Sequence, residues 1–123
     1  MKITSFSPLI ATTQSEETIK LFEALGFEKH HQQAGPDPSK SFVADTTLED
    51  PNGFRVDVAR LRERPQDLTC IRMNVDNFEE AVAFLEARGF HNASGKVVEA
   101  PSSKSCLMVS PSGFGFDVCQ HLK

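Results

Sequence analysis

The sequence predicts an α+β fold of two tandem β-α-β-β-β modules, and two internal repeats indicate it. PNGFRVDVAR at residues 51–60 returns as PSGFGFDVCQ at 111–120, with Pro, Gly, Phe, Asp and Val in the same order. ETIKLFEALGF at 17–27 returns as EAVAFLEARGF at 80–90. Two matches in the same order, at offsets of 60 and 63 residues, indicate an internal duplication. The 123 residues fit one domain, with module one at about 1–62 and module two at about 67–123.

Each module is expected to begin with a strand, at 3–11 and 69–75, and to continue with a helix. The repeated Pro-x-Gly motif leads into the last strand of each module, and the charged link RLRERPQDL joins the two modules. The strands between helix and motif are predicted in FEKHHQQ (27–33), SFVADTTLED (41–50), FHNAS (90–94) and SKSCLMVS (103–110).

The two helices are amphipathic and have capping residues at their ends. Ser15 and Asn77 are the predicted N-caps. Gly26 and Gly89 stand where a helix end needs a left-handed residue. Apolar residues at helical spacing predict the buried faces, which are Ile19, Phe22, Ala24 and Leu25 in the first helix and Val82, Phe84 and Leu85 in the second.

Strand alternation separates an apolar face, expected against the helices, from a polar face. The apolar set is Phe54, Val56, Val58, Ile71, Met73, Val75, Phe114, Phe116 and Val118. The opposite set is Arg55, Asp57, Cys70, Arg72, Asn74, Asp117 and Cys119. A polar surface on central strands is unusual unless it lines a cavity or an interface.

The paired modules, the two Pro-x-Gly-Phe strands and VDNFEEAVAFLEARGF at 75–90 resemble the vicinal oxygen chelate superfamily. This is the glyoxalase, bleomycin-resistance and extradiol dioxygenase group. The resemblance covers essentially the whole chain. It implies curled mixed sheets that enclose a cleft, helices on the outside, and a ligand site on the concave face.

Metal enzymes of this superfamily hold a divalent ion on His or Glu at four positions, which the resemblance puts at Ser7, Asp57, Cys70 and Asp117. A serine hydroxyl is a poor ligand for such an ion, and the set has no imidazole. We therefore expect no metal cofactor. We expect Asp57 and Asp117 to pair with Arg55 or Arg72, since an isolated buried carboxylate is costly.

The function predicted from these residues is metal-free binding of a small organic ligand in the cleft. Phe and Met side chains would form apolar walls, and the predicted site residues are Ser7, Arg55, Asp57, Cys70, Arg72, Asn74 and Asp117. The alternative is a divalent-metal-dependent lyase, isomerase or epimerase in which Asp57 and Asp117 hold the ion and Cys70 completes its shell. A third possibility is that the concave face only receives another subunit.

Other residues with reactive side chains have simpler interpretations. His30 or His31, His91 and His121 are expected to be exposed, and Cys70 lacks a base in the sequence that would make it a nucleophile. The segment 32–40 is rich in Gly and Pro and predicts a loop at the mouth of the cleft.

Composition limits the partners. The net charge is −4 and no run of Lys or Arg occurs, so neither a nucleic acid nor a membrane partner is expected. Three cysteines without a Cys-x-x-Cys pair, in a sequence without a signal-peptide pattern, predict free thiols and a cytoplasmic location. A homodimer is expected, because closed dimers are the commonest oligomers.

Overall fold

The computed structural model describes residues 1–34, 42–63 and 66–122. Its elements, in chain order, are β1 Ile3–Thr12, α1 Ser15–Ala24, β2 Glu28–Ala34, β3 Phe42–Glu49, β4 Arg55–Leu61, β5 Leu68–Val75, α2 Phe78–Glu86, β6 His91–Asn92, β7 Val98–Ala100, β8 Ser103–Val109 and β9 Gly115–His121. The α+β class and the repeated β-α-β-β-β order are confirmed. The short strand β7, which pairs with β8, is an addition that the sequence did not indicate.

The chain forms two compact units. Residues Pro8–Thr69 form one, which we call the first-module unit. Residues Met1–Ser7 together with Cys70–Lys123 form the other, the second-module unit. Strand β1 therefore contributes its first half to one unit and its second half to the other.

In the first-module unit the strands lie in the order β2-β3-β4-β1. β4 runs antiparallel to β3 and parallel to β1, with Leu9 opposite Asp57. Ile19 of α1 packs on Leu48, Val56 and Val58, which are almost fully buried. The apolar face predicted for β4 is thus confirmed for its two valines.

In the second-module unit β5, β9 and β8 are neighbours, and β9 pairs in parallel with β5 and antiparallel with β8. Helix α2 covers one face of these strands. The buried cluster there consists of Met73, Val75, Phe78, Ala81, Leu85, Cys106, Met108 and Val118. Burial of several such side chains, at about 1.5–3 kcal/mol each, fixes which face of the sheet is apolar.

The helix ends agree with the sequence at three of the four caps. Asn77 accepts a hydrogen bond from the backbone N–H of Glu80 over 3.0 Å, and Gly26 and Gly89 have φ of 104° and 91°. The prediction for Ser15 is wrong, because Ser15 is the first helical residue and Gln14, whose side chain makes no capping bond, precedes it.

The predicted helix faces are partly wrong. Leu25 is 65% exposed because α1 ends at Ala24, so Leu25 lies beyond the last turn that faces the sheet. Phe84 is 46% exposed, and the Arg88 guanidinium lies 3.6 Å from its ring centroid.

Two residues of the predicted apolar strand face, Phe54 and Phe114, are also exposed, because each precedes the first residue of its strand.

The two helices of the described chain have ten and nine residues, and neither is long enough to cross a bilayer.

Candidate functional site

One face of the sheet in the second-module unit collects polar side chains, and we call it the polar face. Parallel pairing places Arg72 opposite Asp117 and Asn74 opposite Cys119, and the antiparallel strand β8 places Ser105 opposite Cys119. Residues between these positions point to the other face and pack against α2. The polar face consists of Ser5, Ser7, Cys70, Arg72, Asn74, Ser105, Asp117 and Cys119.

An ion pair lies at the centre of the polar face. Nε of Arg72 donates to Oδ2 of Asp117 over 2.9 Å. The two side chains are only 11% and 7% exposed. The expected pairing of Asp117 with Arg72 is therefore present, and each charge compensates the other where water is largely excluded.

Cys70 lies beside this pair with its thiol buried. Burial first, and the carboxylate of Asp117 second, raise the pKa of Cys70 to about 11, against a smaller opposing effect of Arg72. Cys106, on the opposite face, has its pKa raised to about 11 by burial and by the nearby acids Asp117 and Glu86. Both thiols stay protonated at neutral pH, so neither is an activated nucleophile.

Asn74 connects β5 to β1. Its Nδ2 donates to the hydroxyl of Ser5 over 2.7 Å. Its Oδ1 is buried and has no hydrogen-bond partner among the residues that the structure describes. A buried acceptor left without a donor costs about 1–3 kcal/mol, so this oxygen is an energetic defect that a suitable donor would repair.

The predicted site residues divide between the two units. Ser7, Cys70, Arg72, Asn74 and Asp117 lie in the second-module unit, and Arg55 and Asp57 lie in the first-module unit. Asp57 is buried, opposite Leu9 on one side and Thr47 on the other. Arg55 is exposed at the start of β4 and forms no ion pair within the described ranges, so of the two candidate arginines it is Arg72 that forms a carboxylate pair.

Sequence reasoning missed Ser5 and Ser105. The signal for Ser5 was its alternation with Ser7 along β1, which places both on one side of the strand. Ser105 could have been found from the alternation of Ser103, Ser105 and Leu107 with the buried residues of β8.

The superfamily resemblance implies a divalent metal, and the donor set of the second-module unit does not fit one. The carboxylate of Asp117 is already held by a guanidinium. Burial raises the pKa of the Cys70 thiol to about 11, so ligation by this group would require loss of a tightly held proton. No group of three His, Cys, Asp or Glu lies within ligating reach in residues 1–34, 42–63 and 66–122.

The remaining polar predictions concern the surface. His30, His91 and His121 are exposed, and Nε2 of His30 lies 3.5 Å from Oε2 of Glu49. The side chain of His31 and residues 35–40 of the predicted loop lie outside the described residues, and residues 32–34 of that loop prediction belong to strand β2 instead. The three cysteines, all within the described residues, form no disulfide, as predicted.

No protein-family model and no curated protein matches the chain. Solved structures do match over nearly its whole length. A glyoxalase/bleomycin resistance protein/dioxygenase superfamily member from Vibrio splendidus superposes with a TM-score of 0.60 at 17% identity, covering 96% of this chain and 98% of that one. Methylmalonyl-CoA epimerase from Mycobacterium tuberculosis gives 0.69 at 11% identity, covering 96% and 88%.

A glyoxalase I mutant from Zea mays gives a TM-score of 0.68 at 17% identity, and the match covers 98% of this chain and 44% of the maize protein. At such identities the likeness is one of fold. The resemblance seen in the motifs is therefore confirmed at that level, and the chain has the vicinal oxygen chelate fold of the glyoxalase, bleomycin-resistance and dioxygenase proteins.

Proposed function

We propose that this protein binds a small organic molecule without a metal, and that the ligand lies against the polar face of the second-module unit. The observation that carries the proposal is the buried Oδ1 of Asn74, which lacks a donor among the described residues. A ligand N–H or O–H group placed there would supply the missing hydrogen bond.

The surroundings of Asn74 favour an uncharged group at this point. Arg72 and Asp117 neutralise each other, and Cys70 carries its proton. A charged group of the ligand would lose its hydration on binding and would find no opposite charge there that is not already compensated. The desolvation of such a group is therefore costly. An amide, a urea or a hydroxyl group avoids that cost.

Binding at this face requires local opening. Ser7, Cys70 and Asp117 are 5%, 6% and 5% exposed, and Oδ1 of Asn74 has almost no accessible surface. The ligand reaches these atoms only when neighbouring side chains move, so its association is expected to be slow and its bound state to be protected from exchange.

The test begins with native mass spectrometry of the purified protein, followed by extraction and identification of any bound molecule. Protein stripped of that molecule is then compared in thermal-shift titrations with two variants, Asn74→Ala and Asn52→Ala. Asn52 is an exposed asparagine in the Pro-x-Gly turn and serves as the matched control. Stabilisation of the wild type and of Asn52→Ala, but not of Asn74→Ala, is expected. A mass without adduct together with no thermal shift for any small metabolite would overturn the proposal.

The same preparation decides the alternative of a divalent-metal-dependent lyase, isomerase or epimerase. Elemental analysis of protein prepared without chelator is expected to show far less than one equivalent of transition metal. Zinc, nickel and manganese are expected to leave the melting temperature unchanged. A stoichiometric metal that Asp57→Asn and Asp117→Asn both remove would replace the proposal by that alternative.

A further inference from the structure

The internal duplication makes the N-terminal ends of α1 and α2 equivalent positions in the two modules, and the residues at these ends differ. At offsets of 63 and 60 residues, Ser15 corresponds to Phe78 and Arg60 corresponds to Gln120. The first N–H groups of a helix have no acceptor inside the helix, so each end must find acceptors elsewhere.

The N-terminus of α2 is satisfied by its own chain. Oε1 of Gln120 accepts from the backbone N–H of Phe78 over 2.7 Å, and Nε2 of Gln120 donates to the carbonyl of Asp76 over 3.0 Å. Asn77 caps the N–H of Glu80. The ring of Phe78 is buried and belongs to the apolar cluster under α2.

The N-terminus of α1 has lost both acceptors. Gln14 makes no side-chain capping bond, and a guanidinium, which cannot accept a hydrogen bond, stands at Arg60 where α2 has Gln120. The side chain of Arg60 has no ion pair or hydrogen bond with a residue that the structure describes. The backbone N–H groups of Ser15, Glu16 and Glu17 have no acceptor there either.

A pocket lies at this end of α1. Its volume is about 200 Å³, and it is lined by Thr13, Gln14, Ser15, Glu16, Glu17 and Arg60. Ser15 is 8% exposed, and its hydroxyl makes no hydrogen bond with any residue that the structure describes. The small serine thus stands at the end of α1 where α2 has the large buried ring of Phe78.

We propose that this pocket binds a small oxyanion, of the phosphate or carboxylate kind. The anion's oxygens would accept from the first-turn N–H groups and the Ser15 hydroxyl, and Arg60 would hold it by charge. It would thus take the place that the amide oxygen of Gln120 has at α2. Helix N-termini favour anions through their exposed N–H groups and the helix dipole, and an arginine binds such oxygens with two parallel hydrogen bonds.

The carboxylates of Glu16 and Glu17 also line the pocket and oppose an anion. They set a limit on affinity, and together with Arg60 they make binding sensitive to ionic strength. The pocket residues all belong to the first-module unit and none of them is a residue of the polar face, so the outcome of a test here has no bearing on the binding proposed for Asn74.

Inorganic phosphate and acetate are the probes, with chloride at equal ionic strength as the control anion. The backbone amide signals of Ser15, Glu16 and Glu17 are followed by NMR in the wild type, Arg60→Gln and Arg62→Gln. Arg62 is exposed, is not part of the pocket lining and undergoes the same charge change, so Arg62→Gln is the matched control.

Phosphate or acetate is expected to shift these three amides in the wild type and in Arg62→Gln, and the stronger of the two identifies the oxyanion class. Arg60→Gln is expected to weaken binding by about tenfold or more, since it removes a charge-assisted contact. Without anion, Arg60→Gln is expected to raise the melting temperature, because a glutamine there can cap Ser15 as Gln120 caps Phe78. Equal affinities in Arg60→Gln and Arg62→Gln, equal shifts with chloride, or no shift with either oxyanion would each overturn the proposal.

Discussion

The guanidinium of Arg72 and the carboxylate of Asp117 form a nearly buried ion pair between the paired strands β5 and β9, with Nε and Oδ2 2.9 Å apart. Arg72→Met leaves the carboxylate without its counter-charge, and we expect the free energy of unfolding to fall by about 3–5 kcal/mol. The measurement is chemical denaturation followed by circular dichroism.

The control for this prediction is the exposed ion pair of Lys104 and Glu79 on the same unit. Glu79→Gln is expected to lose much less stability, because Glu79 is exposed to solvent. The double variant Arg72→Met/Asp117→Leu is expected to lose less than Arg72→Met alone, since it removes both charges of this ion pair. A loss in Arg72→Met no larger than in Glu79→Gln would contradict the interpretation.

The thiols of Cys70 and Cys106 predict a loss of stability at alkaline pH. Both have a pKa of about 11 in the folded protein, above the ordinary value of 9.0. The folded state therefore holds these protons more tightly than the unfolded state. Their contribution is fully present below pH 9 and is lost as the pH rises from about 9 to about 11.

Denaturation at several pH values measures this slope, and Cys70→Ala/Cys106→Ala is expected to flatten it. At pH 8 alkylation of either thiol in the native protein should be about 100-fold slower than for an ordinary cysteine, from the thiolate fraction alone. Fast alkylation of Cys70 in the native state would show that its pKa is not raised.

Asn74 and Ser5 predict an unusual order of mutational effects. Ser5→Ala removes the partner of Nδ2 and adds a second unsatisfied group to the amide, so a loss of about 1–2 kcal/mol is expected. Asn74→Leu removes the amide and its unsatisfied oxygen together, so it is expected to be neutral or stabilising. Urea denaturation of the ligand-free protein decides, and a larger loss for Asn74→Leu than for Ser5→Ala would contradict the prediction.

Gly26 and Gly89 form a matched pair at the ends of the two helices. Both have positive φ, so alanine at either position costs about 1–2 kcal/mol in backbone strain. A Cβ on Gly89 would also lie 2.9 Å from Cγ of Pro111, whereas one on Gly26 meets no atom within 4 Å. Gly89→Ala is therefore expected to be the more destabilising in thermal unfolding, and equal losses would show that Pro111 moves aside at no cost.

The sequence predicted the elements well because the duplication supplied two independent readings of each one. It failed where a helix end or a strand end decided burial: Leu25 and Phe54 have the right spacing but lie just outside α1 and β4. Spacing identifies the side of an element on which a residue lies. It does not identify the residue at which that element begins or ends.

The site was predicted in part for a similar reason. Alternation alone placed Arg72, Asn74 and Asp117 on one face, and the parallel register of β5 and β9 then made Arg72 and Asp117 partners. Register depends on long-range pairing, so the bond between Asn74 and Ser5 could not be predicted from spacing. The repeat alone shows that Arg60 corresponds to Gln120. That Gln120 caps the N-terminus of α2, and that Arg60 cannot do the same at α1, follows only from the hydrogen bonds in the structure.

Strand β1 also determines the order in which the protein can fold during its synthesis. The first-module unit, Pro8–Thr69, is continuous in the chain, so all of it is synthesised before the last third of the sequence is made. The second-module unit needs Met1–Ser7 and also β9, which lies far along the sequence. The backbone N–H of Lys2 donates to Oδ1 of Asp76, and the carbonyl of Lys2 accepts from the backbone N–H of Asp76. Residues Met1–Ser7 therefore wait longer for their partners than the rest of β1 does. During that time this half of β1 is unpaired, and a chaperone or a second nascent chain can bind to it.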